Sequence, residues 1–134
     1  MLGRFGISVL VSTLLAGCSI ETASYAMNQY GEVRGVRVRL DCRDTYEVFD
    51  RRDWGRLIVV TNPVNEALAA SCVDAAALPR PERMRRVAEI YLAETSSRPE
   101  CTQSGQRELT PLHSEFDYRC PASRAVRAEP RRTR

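Results

Sequence analysis

Five cysteines, one histidine, seventeen carboxylates and twenty arginines are the residues of this 134-residue sequence from which chemistry could be built. There is no lysine, which excludes Schiff-base formation and lysine general-base catalysis. Four of the cysteines, Cys42, Cys72, Cys101 and Cys120, are widely spaced and contain no C-x-x-C pair, and His113 is the sole imidazole. Zinc requires clustered nitrogen and sulfur ligands, and an activated dithiol usually has its thiols close together at a helix start. No metal, redox centre or cofactor is therefore expected. An even set of four suits two disulfides in an oxidising compartment. Cys101 with Cys120 is the favoured bridge, because both flank one C-terminal β segment, and Cys42 with Cys72 then follows.

His113 stands near Glu115 and Asp117, the residue types of a general acid–base pair. It follows Pro111 in an expected loop, however, and no second candidate partner accompanies it. Asp41, Asp44, Glu47, Asp50 and Asp53 are interleaved with Arg43, Arg51 and Arg52, which suits a solvated, internally paired strand face better than a cation site. Trp54, the only tryptophan, lies between Asp53 and Gly55. An exposed ring there could stack on a sugar or enter a partner's pocket, but packing back on the sheet edge is the preferred expectation. No nucleophile elbow, phosphate loop, dinucleotide fingerprint, zinc-protease helix or calcium loop occurs. The chain is not expected to be an enzyme.

The N-terminus carries a different chemistry. Arg4 and the terminal amine precede Phe5 to Ala16, an uncharged run of apolar and small residues too short for a stable membrane-spanning helix but suited to the apolar region of a signal peptide. The run closes in Leu15-Ala16-Gly17-Cys18. This segment resembles the lipobox of bacterial lipoproteins: an aliphatic residue, two small residues and the cysteine whose thiol takes the diacylglyceryl group. The resemblance covers the first eighteen residues and implies cleavage before Cys18, lipidation of Cys18 and a membrane anchor facing the periplasm. Several acyl chains on one residue, at about 0.8 kcal/mol per buried methylene, make that anchor effectively permanent. Ser19 after the cysteine resembles the pattern of lipoproteins released to the outer membrane rather than kept in the inner one.

The elements behind these residues divide the chain into four parts. Residues 1–17 are the signal peptide. Residues 18–35 have no sustained period and read as the lipidated N-terminus and a tether, with a coil reach of about 20 to 25 Å. Residues 36–120 form the globular domain, and the stretch from Ser19 to Cys120 is slightly acidic, with fourteen arginines against sixteen acids. Residues 121–134 form an Arg-rich tail expected to be disordered for want of apolar residues. Arg124, Arg127, Arg131, Arg132 and Arg134 there could pair with phosphates of anionic lipid or lipopolysaccharide. Nucleic acid is not an expected partner in the periplasm.

Within the domain, Val36 to Cys42 alternates apolar and charged residues as a half-buried strand does. Tyr46–Phe49 and Leu57–Thr61 suggest a hairpin. Asn62-Pro63 is a helix start, followed by Val64, Leu68, Cys72 and Ala76 as an expected buried stripe. After Leu78-Pro79-Arg80-Pro81, the apolar positions Met84, Val87, Ala88, Tyr91 and Leu92 mark a second helix. Ser104-Gly105 reads as a turn, and Ser114 to Cys120 as a strand with Phe116, Tyr118 and Cys120 inward and Glu115, Asp117 and Arg119 outward. These elements predict an α+β domain: a small antiparallel sheet of about five strands, covered on one face by two helices and stapled by disulfides. The expected function is that of a non-catalytic, lipid-anchored envelope lipoprotein, an accessory or binding component with an unidentified envelope protein as partner. A small periplasmic enzyme acting on a cell-wall or lipid substrate is the alternative.

Overall fold

The structure, a computed structural model, describes residues 17–40, 44–71, 78–95 and 100–121. Five antiparallel strands form one sheet in the order β1-β2-β3-β5-β4. The strands are β1 (Val36–Arg39), β2 (Thr45–Arg51), β3 (Arg56–Val60), β4 (Thr102–Thr110) and β5 (His113–Arg119). Three helices accompany them: α1 (Gly17–Tyr30), α2 (Pro63–Ala70) and α3 (Arg80–Ile90), the last continuing through a wider turn at Tyr91–Thr95. The α+β architecture read from the sequence is thus present, with one helix more than expected.

Strand alternation assigns the two faces. Val38, Tyr46, Val48, Leu57, Val59, Phe116 and Tyr118 share one face and form the core with Met84, Val87, Ala88, Tyr91 and Leu92 of α3 and its continuation. Registration of Val48 with Val59 and of Leu57 with Phe116 carries this face across the central strands. The opposite face bears Glu47, Phe49, Ile58, Val60, His113 and Glu115, and α1 lies over it. Ile58, on this second face, is as buried as the core residues of the first. The sheet is therefore covered on both faces, which corrects the expectation of one covered face.

Helix α1 also corrects the reading of its segment as a coil. Its inward positions, Thr22, Tyr25, Ala26, Gln29 and Tyr30, have helical spacing, but only alanine and the tyrosine rings are apolar, so the hydrophobic stripe is faint in sequence. Tertiary partners supply what propensity does not: Tyr25 and Tyr30 bond Glu115, and Arg51 donates to the Gln29 carbonyl at 2.8 Å.

Two further differences are local. Ser104 and Gly105 lie inside β4, at a register shift, and the β4–β5 turn is Pro111-Leu112. Helix α2 starts as expected, with the Asn62 side chain accepting from the Asn65 amide at 2.9 Å, but its buried residues are Asn65 and Ala69. Val64 is 70% exposed and Leu68 is exposed too. The rotation follows from Asn65, whose carbonyl accepts from the Thr45 amide and whose amide donates to Thr61. A polar side chain that satisfies a strand's free amide is worth burying.

At the β2–β3 hairpin a short turn, Arg52–Trp54, closes on Gly55 at φ 59°, the left-handed region. A β-carbon there would meet the Tyr118 carbonyl oxygen at 2.8 Å, and the Gly55 carbonyl accepts from the Tyr118 amide. Glycine is required by both the backbone angle and the close approach.

Cys101 and Cys120 stand directly beyond the Thr102–Arg119 pair, with sulfurs at bonding distance and Cα atoms 4.1 Å apart. They close the open end of the β4–β5 hairpin. Cys42 and Cys72, and so their expected pairing, lie outside the described residues. A loop of this length should contribute about 3 kcal/mol when closed. Reduction, or Cys101→Ser with Cys120→Ser, is expected to lower the melting temperature by on the order of 10–20 °C, read by differential scanning calorimetry.

Candidate functional site

The constellation that stands out lies between α1 and the second sheet face, and it centres on Glu115. The alternation in β5 is as predicted, yet Glu115 is only 4% exposed because α1 covers the face to which it points. Its Oε1 accepts from the Tyr25 hydroxyl at 2.8 Å and the Tyr30 hydroxyl at 2.7 Å. Its Oε2 accepts from Arg107 Nη2, and the same guanidinium donates to the Tyr25 oxygen at 3.1 Å. Burial, then the hydrogen bond to Glu115, pushes the Tyr30 hydroxyl far above its ordinary titration range. A carboxylate so engaged and a phenol so held are poor proton-transfer groups. The arrangement is a lock that fixes α1 to the sheet.

A second carboxylate repeats the pattern on the other face. Asp50 Oδ1 accepts from Tyr118 at 2.7 Å, and Oδ2 accepts from Tyr91 at 2.9 Å and from Arg52 Nε at 3.4 Å. Burial is the main cause of the raised titration of Tyr118 and Tyr91. A third knot joins α2 to α3: Glu66 accepts from Thr61, Arg80 and Arg83, and buried Arg83 also reaches the Tyr46 hydroxyl and the Leu78 carbonyl. None of these groupings is visible in sequence, because partners such as Tyr30 and Glu115 are 85 residues apart.

The residues singled out from sequence fall as follows. His113 opens β5 rather than sitting in a loop; it is half-buried, and burial lowers its proton affinity. Its Nδ1 lies 2.8 Å from Thr110 Oγ1, while the oxygens of Glu115 are taken by Tyr25, Tyr30 and Arg107. The histidine–carboxylate pair considered from sequence is not assembled in this geometry. Of the acidic series, Glu47 and Asp53 pair with Arg37 and Arg51 at the surface, Asp50 and Asp44 are turned inward, and Asp41 lies outside the described residues. Among the described residues no group of three His, Cys, Asp or Glu side chains is placed to hold a metal ion.

Trp54 is 49% exposed, and its ring is stacked beneath the Arg51 guanidinium, 4.0 Å from the ring centroid. It therefore packs on a neighbouring side chain with one side open, between the two expectations. Beside α1 an apolar groove of about 250 Å³ is lined by Met27, Tyr30, Phe49, Ile58, Val60 and His113, among others. Cys18 is the second residue of α1. The arginines of the tail, Arg124 to Arg134, lie outside the described residues. No described helix is long and apolar enough to cross a membrane.

No protein-family model, no curated protein and no solved structure matches the chain.

Proposed function

We propose that this chain is a lipid-anchored envelope lipoprotein, held by acyl groups on Cys18 and acting as a non-catalytic accessory or binding component of an envelope assembly. The observation that carries the reading is Leu15-Ala16-Gly17-Cys18 at the end of an uncharged apolar run headed by Arg4. The Cys101–Cys120 pair at disulfide distance agrees with export to an oxidising compartment. What weighs against the enzyme alternative is that three carboxylates of the domain, Glu115, Asp50 and Glu66, are each occupied by tyrosine, threonine or arginine donors. Ser19 favours the outer membrane as the destination. The tail arginines remain candidates for contact with anionic lipid or lipopolysaccharide, and the partner protein is open.

The helical form of residues 17–30 changes what the anchor would do. A coil would let the domain wander, whereas an α-helix rises about 1.5 Å per residue. Tyr25, already bonded to the sheet through Glu115, would then stand only about 10 Å from Cys18 along the axis. The domain would be held at the membrane surface.

The test is intact mass and membrane fractionation of the protein expressed in a bacterial host, beside Cys18→Ser. Cleavage before Cys18 with added acyl mass, and loss of the variant from the membrane fraction, is the expected result. A wild-type protein without acyl mass that fractionates like the variant would overturn the reading.

A further inference from the structure

Helix α1 presents an outer side nearly devoid of charge. Its fourteen residues contain Glu21 as the only Asp, Glu or Arg, whereas the eleven residues of α3 contain four arginines and two glutamates. At 100° per residue, Ile20, Glu21, Ser24, Met27 and Asn28 lie on the exposed side of α1, away from the sheet-facing Thr22, Tyr25, Ala26, Gln29 and Tyr30, and Met27 also borders the apolar groove beside the helix. Ile20 and Met27 are 70% and 74% exposed. In a chain that is 28% charged, a helix side facing bulk water normally carries charge, as α3 does. The exposed side of α1 has instead one charge, Glu21, small polar groups, and two large apolar side chains left in water, the mixture expected where a helix meets a boundary between polar and apolar surroundings.

Its place in the chain says what that is. Cys18 lies in the first turn of the same helix, one residue past the apolar run that ends at Ala16. With Cys18 acylated, Ile20 is about 3 Å farther along the axis and sits among the headgroups at any tilt. Met27 is about 14 Å along the axis, so it reaches lipid only when the helix lies along the surface. We propose that α1 lies flat on the phospholipid surface, with Ile20 and Met27 immersed at the boundary between headgroups and acyl chains. This rests on the lipoprotein reading and adds an orientation to it. An interfacial helix of this kind buries its apolar side about 5–10 Å deep. Because α1 and α3 cover opposite faces of the sheet, the charged outer side of α3 is then directed away from the membrane, toward the proteins of the periplasm.

Tryptophan placed at the helix surface tests this. In a Trp54→Phe background, Met27→Trp makes position 27 the only indole, and Glu89→Trp makes a matching probe on the exposed side of α3. Each acylated protein, its acyl mass verified, is reconstituted in vesicles of phosphatidylethanolamine and phosphatidylglycerol with or without brominated acyl chains. The expected result is a blue-shifted emission at position 27 that loses most of its intensity to bromine, while position 89 emits as in water. An acylated protein in which position 27 is quenched no more than position 89 overturns the flat helix and leaves the anchor standing. A protein without acyl mass overturns both.

Discussion

Glu115→Ala is expected to destabilise the domain by about 3–5 kcal/mol, the range for removing one partner of a buried charged network. The side chain is one of the least exposed carboxylates described, and three donors converge on it. Arg107 is 59% exposed and can turn to water, so the loss falls mainly on Tyr30, whose hydroxyl is left buried without an acceptor. Glu115→Gln keeps an acceptor for the tyrosines and removes the charge that Arg107 faces, and a smaller loss of about 1–2 kcal/mol is expected. Chemical denaturation measures both. Hydrogen exchange locates the effect: the amides of α1 should exchange faster than those of β2, β3 and β5, because Glu115 is the point at which α1 is tied down. If all elements lose protection together, α1 is an integral part of the cooperative unit rather than a helix latched onto it. A double-mutant cycle with Tyr30→Phe should show coupling of about 1 kcal/mol or more between the two side chains. Additive losses would mean that the hydrogen bond contributes nothing of its own.

The same residue shows where sequence reading reaches its limit. Period-two alternation places Glu115 correctly on the face opposite Phe116 and Tyr118, and the β2–β3 hairpin, the Asn62 cap, α3 and the Cys101–Cys120 neighbours were legible for equally local reasons. Alternation says which side a residue faces, but not whether that side is covered. Coverage depends on α1, and α1 is held by Tyr25, Tyr30 and Arg51 through polar contacts to distant strands. Such contacts leave no hydrophobic period. The stripe expected of Val64 and Leu68 failed for a related reason: a helical period does not record that the Asn65 side chain satisfies the Thr45 backbone and the Thr61 hydroxyl, so α2 turns Val64 outward. Ser104-Gly105 has turn composition but lies at a register shift in an edge strand, where glycine and small polar residues are common and help to prevent edge pairing. The candidate anchor, by contrast, needs only a local run of residues, which is why it is the most legible functional feature of the chain.

Alkaline pH should unfold this protein over a narrow window, because its hydrogen-bonded tyrosines bring their proton affinities above that of the unfolded chain together. Tyr30 and Tyr118 are raised by burial and by the carboxylates they bond, Tyr91 by burial and Asp50, and Tyr46 chiefly by burial. An unfolded tyrosine titrates near 10. Below that pH both states keep their protons, and the contribution of these hydroxyls to stability is fully present. Above it the unfolded chain gives up protons that the folded chain retains, so stability falls as pH rises toward the raised folded values. The slope is about 1.4 kcal/mol per pH unit for each such tyrosine. Tyr30 and Tyr118, the two most strongly raised, carry most of this loss, and Tyr46 and Tyr91 add to it, so a domain of ordinary stability, about 5–15 kcal/mol, should lose its fold within a few units above pH 10. The composition makes the experiment clean: there is no lysine to titrate in this range, and guanidinium groups keep their charge. Phenolate absorbance and far-ultraviolet circular dichroism, followed together from pH 8 upward, should change in one transition. Tyr30→Phe and Tyr118→Phe should each flatten the pH dependence by about a quarter to a half, because each removes one of the two most strongly linked protons. Phenolate formation near pH 10 in a chain that keeps its secondary structure would mean that these hydroxyls are open to water, and that the locks at Glu115 and Asp50 do not hold the fold.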